Sequence, residues 1–146
     1  VGPFSMHIAK SHRNAKIFAI DVNPSAIEFL MRNIVKNRVS NVSVFQGDAR
    51  TIVEKYLLGQ GDRIILNLPR KAIEFVCIAT RALKSTGGVI HYYAFETEPN
   101  VLAKAECKFK REMATTQREL KAILGSRVVR STAPREWQVA IDALIS

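Results

Sequence analysis

The stretch that decides the fold is Arg63-Ile64-Ile65-Leu66-Asn67-Leu68-Pro69-Arg70, an apolar run that meets an asparagine and a proline. A short apolar run between turn residues, here Gly59 to Asp62 and Pro69, is typical of a strand buried on both faces of a parallel sheet. Because proline cannot donate to a sheet ladder, we expect the strand to end near Leu68. Asn67 would then lie at the carboxyl end of a central strand, where open α/β sheets bind ligands.

Two roles for Asn67 are open on local grounds. Its side chain offers one amide oxygen and two N–H donors, which suit a planar heterocycle. Asparagine is also a common cap at the start of a helix, and a helix is expected directly after Pro69. The sequence around Asn67 does not separate these roles.

Helical and extended patterns alternate along the rest of the chain. We expect helices at about 3–10, 24–35, 52–58, 71–83 and 99–124, and strands at about 16–21, 41–46, 63–68, 89–95, 127–131 and 137–144. The apolar face of the second helix is expected to contain Ile27, Leu30, Met31, Ile34 and Val35. Strands separated by helices predict βαβ units and a mostly parallel central sheet. The last two strands, joined by a short connection, predict an antiparallel hairpin at the edge.

Length and cysteine usage indicate one domain in a reducing compartment. The 146 residues suffice for a single core. Apolar runs are too short to span a membrane, and no secretory signal is recognisable. Cys77 and Cys107 lack metal-ligand spacing, so we expect two buried or free thiols. A cytoplasmic monomer is the expectation.

The charge points to a polyanionic partner. Lys and Arg total 22 against 13 Asp and Glu, which gives a formal net charge of +9. Nucleic acid is the first candidate, and an uncommitted basic surface is the alternative. The basic residues recur along the chain and suit a broad footprint on folded RNA. They are Lys10, His12, Arg13, Lys16, Arg32, Lys36, Arg38, Lys104, Lys108, Lys110 and Arg111.

Polar or small residues stand at other predicted strand ends. An acid such as Asp21 can accept from two ribose hydroxyls, although the residue taken alone slightly favours an N-cap-like acid before the Pro24 helix. Asp48 could accept from the amine of a bound base or stabilise a turn. Gly2 fits a tight turn into a helix. Together with Asn67, these residues are predicted to share one edge of one sheet.

Other kinds of site find little support. His7, His12 and His91 lack metal-ligand spacing, and we expect each to be a histidine with ordinary hydrogen-bond partners. No Ser/His/Asp arrangement and no phosphate-binding glycine loop with lysine is present, which disfavours hydrolases and kinases. A full GxGxxG is also missing, which disfavours dehydrogenases.

Six motifs resemble one known family. They are Val1-Gly2-Pro3-Phe4-Ser5, Ala19-Ile20-Asp21-Val22-Asn23-Pro24, Gly47-Asp48-Ala49-Arg50, Asn67-Leu68-Pro69-Arg70-Lys71-Ala72, Val89-Ile90-His91-Tyr92-Tyr93 and Ala133-Pro134-Arg135-Glu136-Trp137. In this order they are similar to the class I methyltransferase domain of the archaeal and eukaryotic tRNA (guanine(37)-N1)-methyltransferases. The resemblance implies a Rossmann-like α/β fold with helices on both faces of the sheet, and one methyltransferase domain at 1–146.

The resemblance also implies a cofactor, a substrate and site residues. S-adenosylmethionine would be the cofactor, tRNA the partner, and no metal would be needed. Cofactor contacts would come from Gly2, Pro3, Phe4, Asp21, Val22, Asp48, Ala49 and Asn67. Contacts with tRNA would come from Asn67, Leu68, Pro69, Arg70 and Arg135, with Asn67 and Pro69 in the catalytic role. The family's first strand, general base and tRNA-gripping domains are expected upstream of Val1.

The implied reaction is methyl transfer to N1 of guanine 37. The alternatives are the wybutosine-pathway transfer of an aminocarboxypropyl group from the same cofactor, or another RNA methylation on this fold. The Asn-Leu-Pro motif favours methyl transfer. A basic module that only binds RNA is the non-enzymatic alternative.

Overall fold

Helices and strands alternate through residues 2–146, the part of the chain that the computed structural model describes. Their contacts form two units, the first ending at Ile52 and the second running from Val53 to Ser146. No helix in the described part of the chain has the length and apolar character needed to cross a membrane.

The first unit is a parallel strand pair with helices before, between and after the strands. The two strands pair in register from Ile17↔Val42 to Asp21↔Gln46. Its elements are α1 (Pro3–Ser11), β1 (Ile17–Asp21), α2 (Pro24–Lys36), β2 (Val42–Gln46) and α3 (Ala49–Ile52). The elements up to β2 lie close to the predicted positions, whereas α3 begins at Ala49, ahead of the predicted helix at 52–58. Helix α2 begins where expected because Asn23 Oδ1 accepts from Ser25 N and Pro24 occupies the first turn.

The apolar face of α2 is narrower than predicted. Ile27 and Leu30 are buried, but Met31 is 56% exposed and Val35 is 78% exposed. Among the described residues, the sheet of the first unit has two strands, and α2 packs on it through its Ile27 and Leu30 side.

The second unit is built on a four-stranded sheet in the order β3-β4-β6-β5. Strand β4 pairs in parallel with β3, and β6 pairs antiparallel with both β4 and β5. The strands are β3 (Arg63–Leu66), β4 (Gly88–Thr97), β5 (Leu120–Ala133) and β6 (Glu136–Ile145). The C-terminal hairpin is confirmed, with β5 at the sheet edge. The expectation of one mostly parallel sheet is wrong in detail, because the hairpin adds two antiparallel pairings and β1–β2 forms a separate sheet.

The helices of the second unit are shorter than expected. The predicted helix at 99–124 ends at Met113, because the hydroxyls of Thr115 and Thr116 bond to the carbonyls of Glu112 and Met113. The chain from Leu120 onward instead pairs with β6, so β5 is more than twice as long as the predicted strand. The helical segments are Val53–Leu57 (a π-helical turn), Ala72–Phe75 (a 3₁₀ turn), α4 (Val76–Ala82) and α5 (Val101–Met113).

Strand β3 differs from its prediction in three ways. It ends at Leu66 rather than near Leu68, and its side chains are only partly buried. It is also an edge strand of the four-stranded sheet rather than a central one. Among the described residues, β3 has β4 as its one strand partner.

The core of the second unit lies between α4, α5 and one face of the sheet. Phe109 of α5 is fully buried, and its ring centroid lies 5.1 Å from that of Tyr92. Burial, reinforced by the negative charges of Glu96 and Glu112, raises the pKa of Tyr92 to about 12. The phenol therefore remains neutral at physiological pH.

Candidate functional site

Asp21 ends β1 and stabilises the turn that follows it. Its Oδ1 accepts from Asn23 N at 2.9 Å, and its backbone carbonyl accepts from Gly47 N at 3.0 Å. The helix cap is Asn23, so the predicted alternative in which Asp21 is an N-cap-like acid before Pro24 is wrong; Asp21 instead holds the backbone of the residue that caps the helix. The second carboxylate oxygen, Oδ2, has no partner among the described residues, and the side chain is exposed. Asp21 thus supports the turn and keeps an acceptor for a ligand.

Asp48 lies at the same edge of the β1–β2 pair, two residues beyond the end of β2. Its Oδ1 accepts from Arg50 N at 2.8 Å, and its carbonyl accepts from Ile52 N at 3.0 Å. Asp48 therefore starts α3, which confirms its predicted turn role. Its Oδ2 lies 3.7 Å from the Arg50 guanidinium. The carboxylates of Asp21 and Asp48 follow the carboxyl ends of neighbouring parallel strands.

Gly2 begins α1 in the left-handed region, with φ 67° and ψ 43°. A Cβ at this position would lie 2.5 Å from Leu30 Cδ1, and the φ alone would strain other residues. Pro3 then occupies the first turn, where its missing N–H is not needed. The local geometry of the first turn therefore explains why α1 begins with Gly-Pro. Among the remaining predicted cofactor residues, Val22 is exposed and Phe4 and Ala49 are half-buried.

Asn67 lies just beyond β3, in the second unit. Its side chain is exposed and forms no hydrogen bond with any described residue. The next helical turn is preceded by Lys71 and has no side-chain cap. The predicted alternative in which Asn67 caps that helix is therefore wrong. Whether Asn67 shares one edge with Gly2, Asp21 and Asp48 stays a prediction.

A tight turn fixes the chain after Asn67. Lys71 N donates to the carbonyl of Leu68 at 2.8 Å, which closes a turn with Pro69 in its second position. Proline restricts both its own φ and the conformation of Leu68. The carboxamide of Asn67 is thus presented from a short segment with little backbone freedom.

Arg70 joins this turn to the C-terminal hairpin. Its guanidinium carbon lies 5.1 Å from the centroid of the Phe95 ring, and Nη2 lies 3.8 Å from Glu136 Oε1. The same Glu136 oxygen accepts from the hydroxyl of Thr132 at 2.8 Å. Arg135 occupies the hairpin turn with φ 61°, is exposed, and its carbonyl accepts from Glu98 N. The structure therefore brings the predicted substrate residues Arg70 and Arg135 to the same end of the sheet.

Phe95 and Glu136 were missed as candidates in the sequence. Glu136 stands inside a recognised motif, next to Arg135. The strand period places Phe95 on the same face of β4 as His91 and Tyr93. Neither the motif around Glu136 nor the strand period at Phe95 identifies Arg70 as the residue they contact, because Arg70 lies 25 or more positions away from each of them.

A polar network crosses the four-stranded sheet on the face away from α5. His91 Nδ1 lies 2.7 Å from Asp142 Oδ1, and Arg63 Nη1 lies 3.1 Å from His91 Nε2. Arginine can only donate, so Nε2 accepts and Nδ1–H donates to the carboxylate. Arg127 donates to Asp142 Oδ2 at 2.9 Å. The expectation that His91 has ordinary hydrogen-bond partners is confirmed.

This network changes the acidity of Asp142. Partial burial by itself would raise the pKa of the carboxyl group, but the hydrogen bonds from His91 and Arg127 outweigh it and lower the pKa. The same carboxylate raises the pKa of the Arg127 guanidinium. Within residues 2–146, no group of three His, Cys, Asp or Glu side chains is arranged to hold a metal ion.

Known proteins resemble the chain over its whole length. Residues 1–121 match the family model described as the TRM5/TYW2 methyltransferase domain. The tRNA (guanine(37)-N(1))-methyltransferase Trm5b of Pyrococcus abyssi is 42% identical over 146 residues, covering 100% of this chain and 42% of the relative. The Trm5b of Methanocaldococcus jannaschii is 36% identical and is covered over 38% of its length. The chain thus spans about two fifths of these relatives.

Solved structures show the same fold. The crystal structure of Pyrococcus abyssi Trm5b matches with a TM-score of 0.84 and 38% identity, over 99% of this chain and 41% of that chain. M. jannaschii TYW2 in complex with AdoMet matches with a TM-score of 0.87 and 28% identity, over 97% of this chain and 63% of that chain. The predicted Rossmann-like class I methyltransferase fold is confirmed. The chain belongs to the TRM5/TYW2 methyltransferase domain family.

Proposed function

We propose that this chain is the catalytic domain of an enzyme that transfers a methyl group from S-adenosylmethionine to N1 of guanine 37 in tRNA. The observation that carries the proposal is the carboxamide of Asn67. The chain belongs to this methyltransferase family, and its Asn67 side chain is exposed just beyond β3, ahead of the Pro69 turn, with no hydrogen bond to a described residue.

The first unit has groups that fit the cofactor. Asp21 keeps Oδ2 as an acceptor for a ribose hydroxyl, and Asp48 offers a second carboxylate at the same edge. Gly2 supports a close backbone approach at the start of α1. Residues proposed to contact the cofactor are Gly2, Pro3, Phe4, Asp21, Val22, Asp48, Ala49 and Asn67. When bound, S-adenosylmethionine supplies an electrophilic methyl group.

Asn67 is proposed to orient the guanine. Guanine N1 carries a proton that must leave before or during attack, and the charge that develops on O6 needs a donor. An amide N–H can donate to O6, but an amide is not a base. Asn67 therefore positions the ring, and its neighbours Pro69 and Leu68 fix its backbone. Arg70 and Arg135 are proposed to hold the surrounding tRNA.

Replacing Asn67 tests the proposal. We expect Asn67→Ala in the whole protein to lower methyl transfer to tRNA by about 10²-fold or more, as when an oriented polar contact at the reacting group is lost. S-adenosylmethionine affinity should stay nearly intact, because Asn67 is only one of eight residues proposed to contact the cofactor. The unfolding temperature should stay unchanged, because the side chain has no hydrogen bond to a described residue. Single-turnover transfer with saturating tRNA is the measurement.

Gln117→Ala is the matched control. Gln117 is also an exposed amide without a hydrogen bond to a described residue, and it lies on the loop after α5. It should leave transfer unchanged. If both variants transfer at the parent rate, Asn67 has no catalytic role.

Aminocarboxypropyl transfer is the second candidate, because the TM-score to TYW2 is as high as that to Trm5b. The fold therefore does not separate the two reactions. Mass spectrometry of the modified nucleoside separates methyl transfer from aminocarboxypropyl transfer, because a methyl group is much lighter than an aminocarboxypropyl group. A methylated guanine is the expected product.

The tRNA partner, a monomeric state and a cytoplasmic location are part of the same proposal. The charge of +9 supports a polyanionic partner. Cys77 and Cys107 are both exposed free thiols, which suits a reducing compartment.

A further inference from the structure

Six cationic or titratable side chains gather at the edge of the first unit opposite Asp21 and Asp48. They lie at the amino ends of β1 and β2, on the α1–β1 and α2–β2 connections or the helix ends leading into them. We name this group the amino-edge patch: Lys10, His12, Arg13, Lys16, Lys36 and Arg38. All six are exposed, and none forms a side-chain hydrogen bond or ion pair with a described residue.

One asparagine ties the two connections together. Asn41, the residue before β2, donates from Nδ2 to the carbonyls of His12 at 3.2 Å and Ala15 at 2.9 Å. Its own carbonyl accepts from Ile17 N at 3.0 Å. The two loops therefore present their charges from one braced surface rather than from independent segments.

No acid of the first unit neutralises this surface. Asp21 and Asp48 lie at the other ends of the strands, and Glu28 is paired with Arg32. Like charges held near each other repel, which opposes folding unless an anion is bound. In the absence of a bound anion, the amino-edge patch therefore lowers the stability of the folded protein.

Backbone strain at Arg38 supports a role for its charge. The end of α2 is closed by bonds from Arg38 N to Val35 O and from Val39 N to Ile34 O, both 3.1 Å. This pattern places Arg38 at φ 52°, a position that glycine normally occupies. Favourable interaction with helix dipoles can account for Lys10 and Lys36, in the last turns of α1 and α2. It does not account for a strained arginine beyond the helix.

We propose that the amino-edge patch binds the phosphate backbone of the tRNA, as a contact separate from the one at the reacting guanine. The identity of the RNA rests on the proposed function. Strand β1 has five residues, so the patch lies roughly 15 Å from the Asp21 edge at about 3.3 Å per residue. The patch is therefore separate from the edge at which the cofactor is proposed to bind.

The test measures tRNA affinity at several salt concentrations. In the whole protein, the triple variant Lys10→Gln, Arg13→Gln, Lys16→Gln should bind a tRNA transcript at least about tenfold more weakly at low salt. Its slope of log affinity against log salt should be shallower by about 2, at about 0.7–0.9 per lost phosphate contact. S-adenosylmethionine affinity should not change.

A charge-matched control separates a site from net charge. Arg81, Lys84 and Lys121 are each already paired with a carboxylate, of Glu54, Asp62 and Glu119 respectively. The triple variant Arg81→Gln, Lys84→Gln, Lys121→Gln removes the same formal charge. It should keep most of the affinity and slope. Equal losses in both triple variants, or no loss in the patch variant, overturn the proposal.

Arg38→Gly provides a test that destabilisation cannot imitate. Glycine relieves the left-handed strain, so the unfolding temperature should rise by about 2–4 °C. The tRNA slope should nevertheless become shallower by about 0.7–0.9. A more stable variant with unchanged tRNA binding would remove Arg38 from the patch. If the parent protein fails to bind S-adenosylmethionine while the patch variants lose tRNA affinity, the proposed function fails and the patch stands.

Discussion

At the residue scale, the acids of the first unit combine a structural bond with a remaining acceptor. Asp21 uses Oδ1 to hold the turn before α2, and Oδ2 has no described partner. Asp48 likewise uses Oδ1 on the backbone of α3. A turn role and a ligand role are therefore not exclusive for either carboxylate, and a variant that keeps only the turn role can separate them.

Asp21→Asn is that variant. Asparagine retains an Oδ1 that accepts from Asn23 N, so the turn should persist, but the charge is lost. We expect S-adenosylmethionine binding to weaken by about 1.5–3 kcal/mol, the range for hydrogen bonds to charged groups. The unfolding temperature should stay near that of the parent. Titration calorimetry measures the affinity for S-adenosylmethionine. An affinity equal to that of the parent would show that Asp21 does not bind the ribose.

At the element scale, connections determine where the site residues lie. The Leu68–Lys71 turn and the β5–β6 turn are held together by Arg70, which contacts both Phe95 and Glu136. An exposed ion pair at 3.8 Å stabilises little, and an exposed cation–π contact about 0.5–1 kcal/mol. The role of these contacts is to hold a loop in place, with only a small contribution to global stability.

The turn before β4 depends on Gly87. Its φ is 87°, and a Cβ would lie 2.2 Å from the carbonyl oxygen of Ile145 at the end of β6. Because both atoms belong to packed backbone, neither can move cheaply. Gly87→Ala should lower the free energy of unfolding by at least about 2 kcal/mol, as measured by urea denaturation.

Gly125→Ala is the control for this element. A Cβ at Gly125 would meet nothing within 4 Å, although the residue also lies in the four-stranded sheet. Its stability should change by no more than about 0.5 kcal/mol. Similar losses for the two variants would mean that the close approach at Gly87 is not the cause.

At the scale of the whole molecule, charge is distributed unevenly. Acids paired with bases brace the sheet of the second unit, as at Asp142 with His91 and Arg127. Cations without acids remain exposed in the first unit, as in the amino-edge patch. The first unit holds seven Lys and Arg against three Asp and Glu, and so carries +4 of the formal net charge of +9.

The Asp142 network predicts a pH dependence of stability. The folded-state pKa of Asp142 lies below its ordinary value. Its contribution is therefore present above the unfolded-state pKa of about 3.9 and is lost as the pH falls through the lower folded-state value. Unfolding temperature against pH should show this loss on the acid side.

Asp142→Asn isolates the effect. It should be less stable than the parent at neutral pH, because Arg127 and His91 lose a charged acceptor. The difference between the two proteins should shrink as the pH approaches 2. A constant difference across this range would show that protonation of Asp142 does not control the acid limb.

The sequence by itself determined the parts that local chemistry specifies. Asn23 and Pro24 start α2, the run from Trp137 to Leu144 forms most of β6, and the Asn67–Pro69 motif marks a strand end. Each of these features depends on residues within a few positions of one another, so the local sequence pattern is enough to predict it. The types of the site residues likewise indicate which ligand groups they can bind. They do not indicate which hydrogen bonds these residues already make within the chain.

Only the tertiary structure decided the features that join distant parts of the chain. The sequence pattern predicts helix over residues 114–124. The chain from Leu120 onward nevertheless forms β5, because it pairs with β6 over the length of that strand. The pairings of Arg70 with Glu136 and of His91 with Asp142 likewise join positions more than 50 residues apart. Strand order determines such contacts, and strand order follows from the packing of the whole sheet. No local pattern in the sequence encodes it.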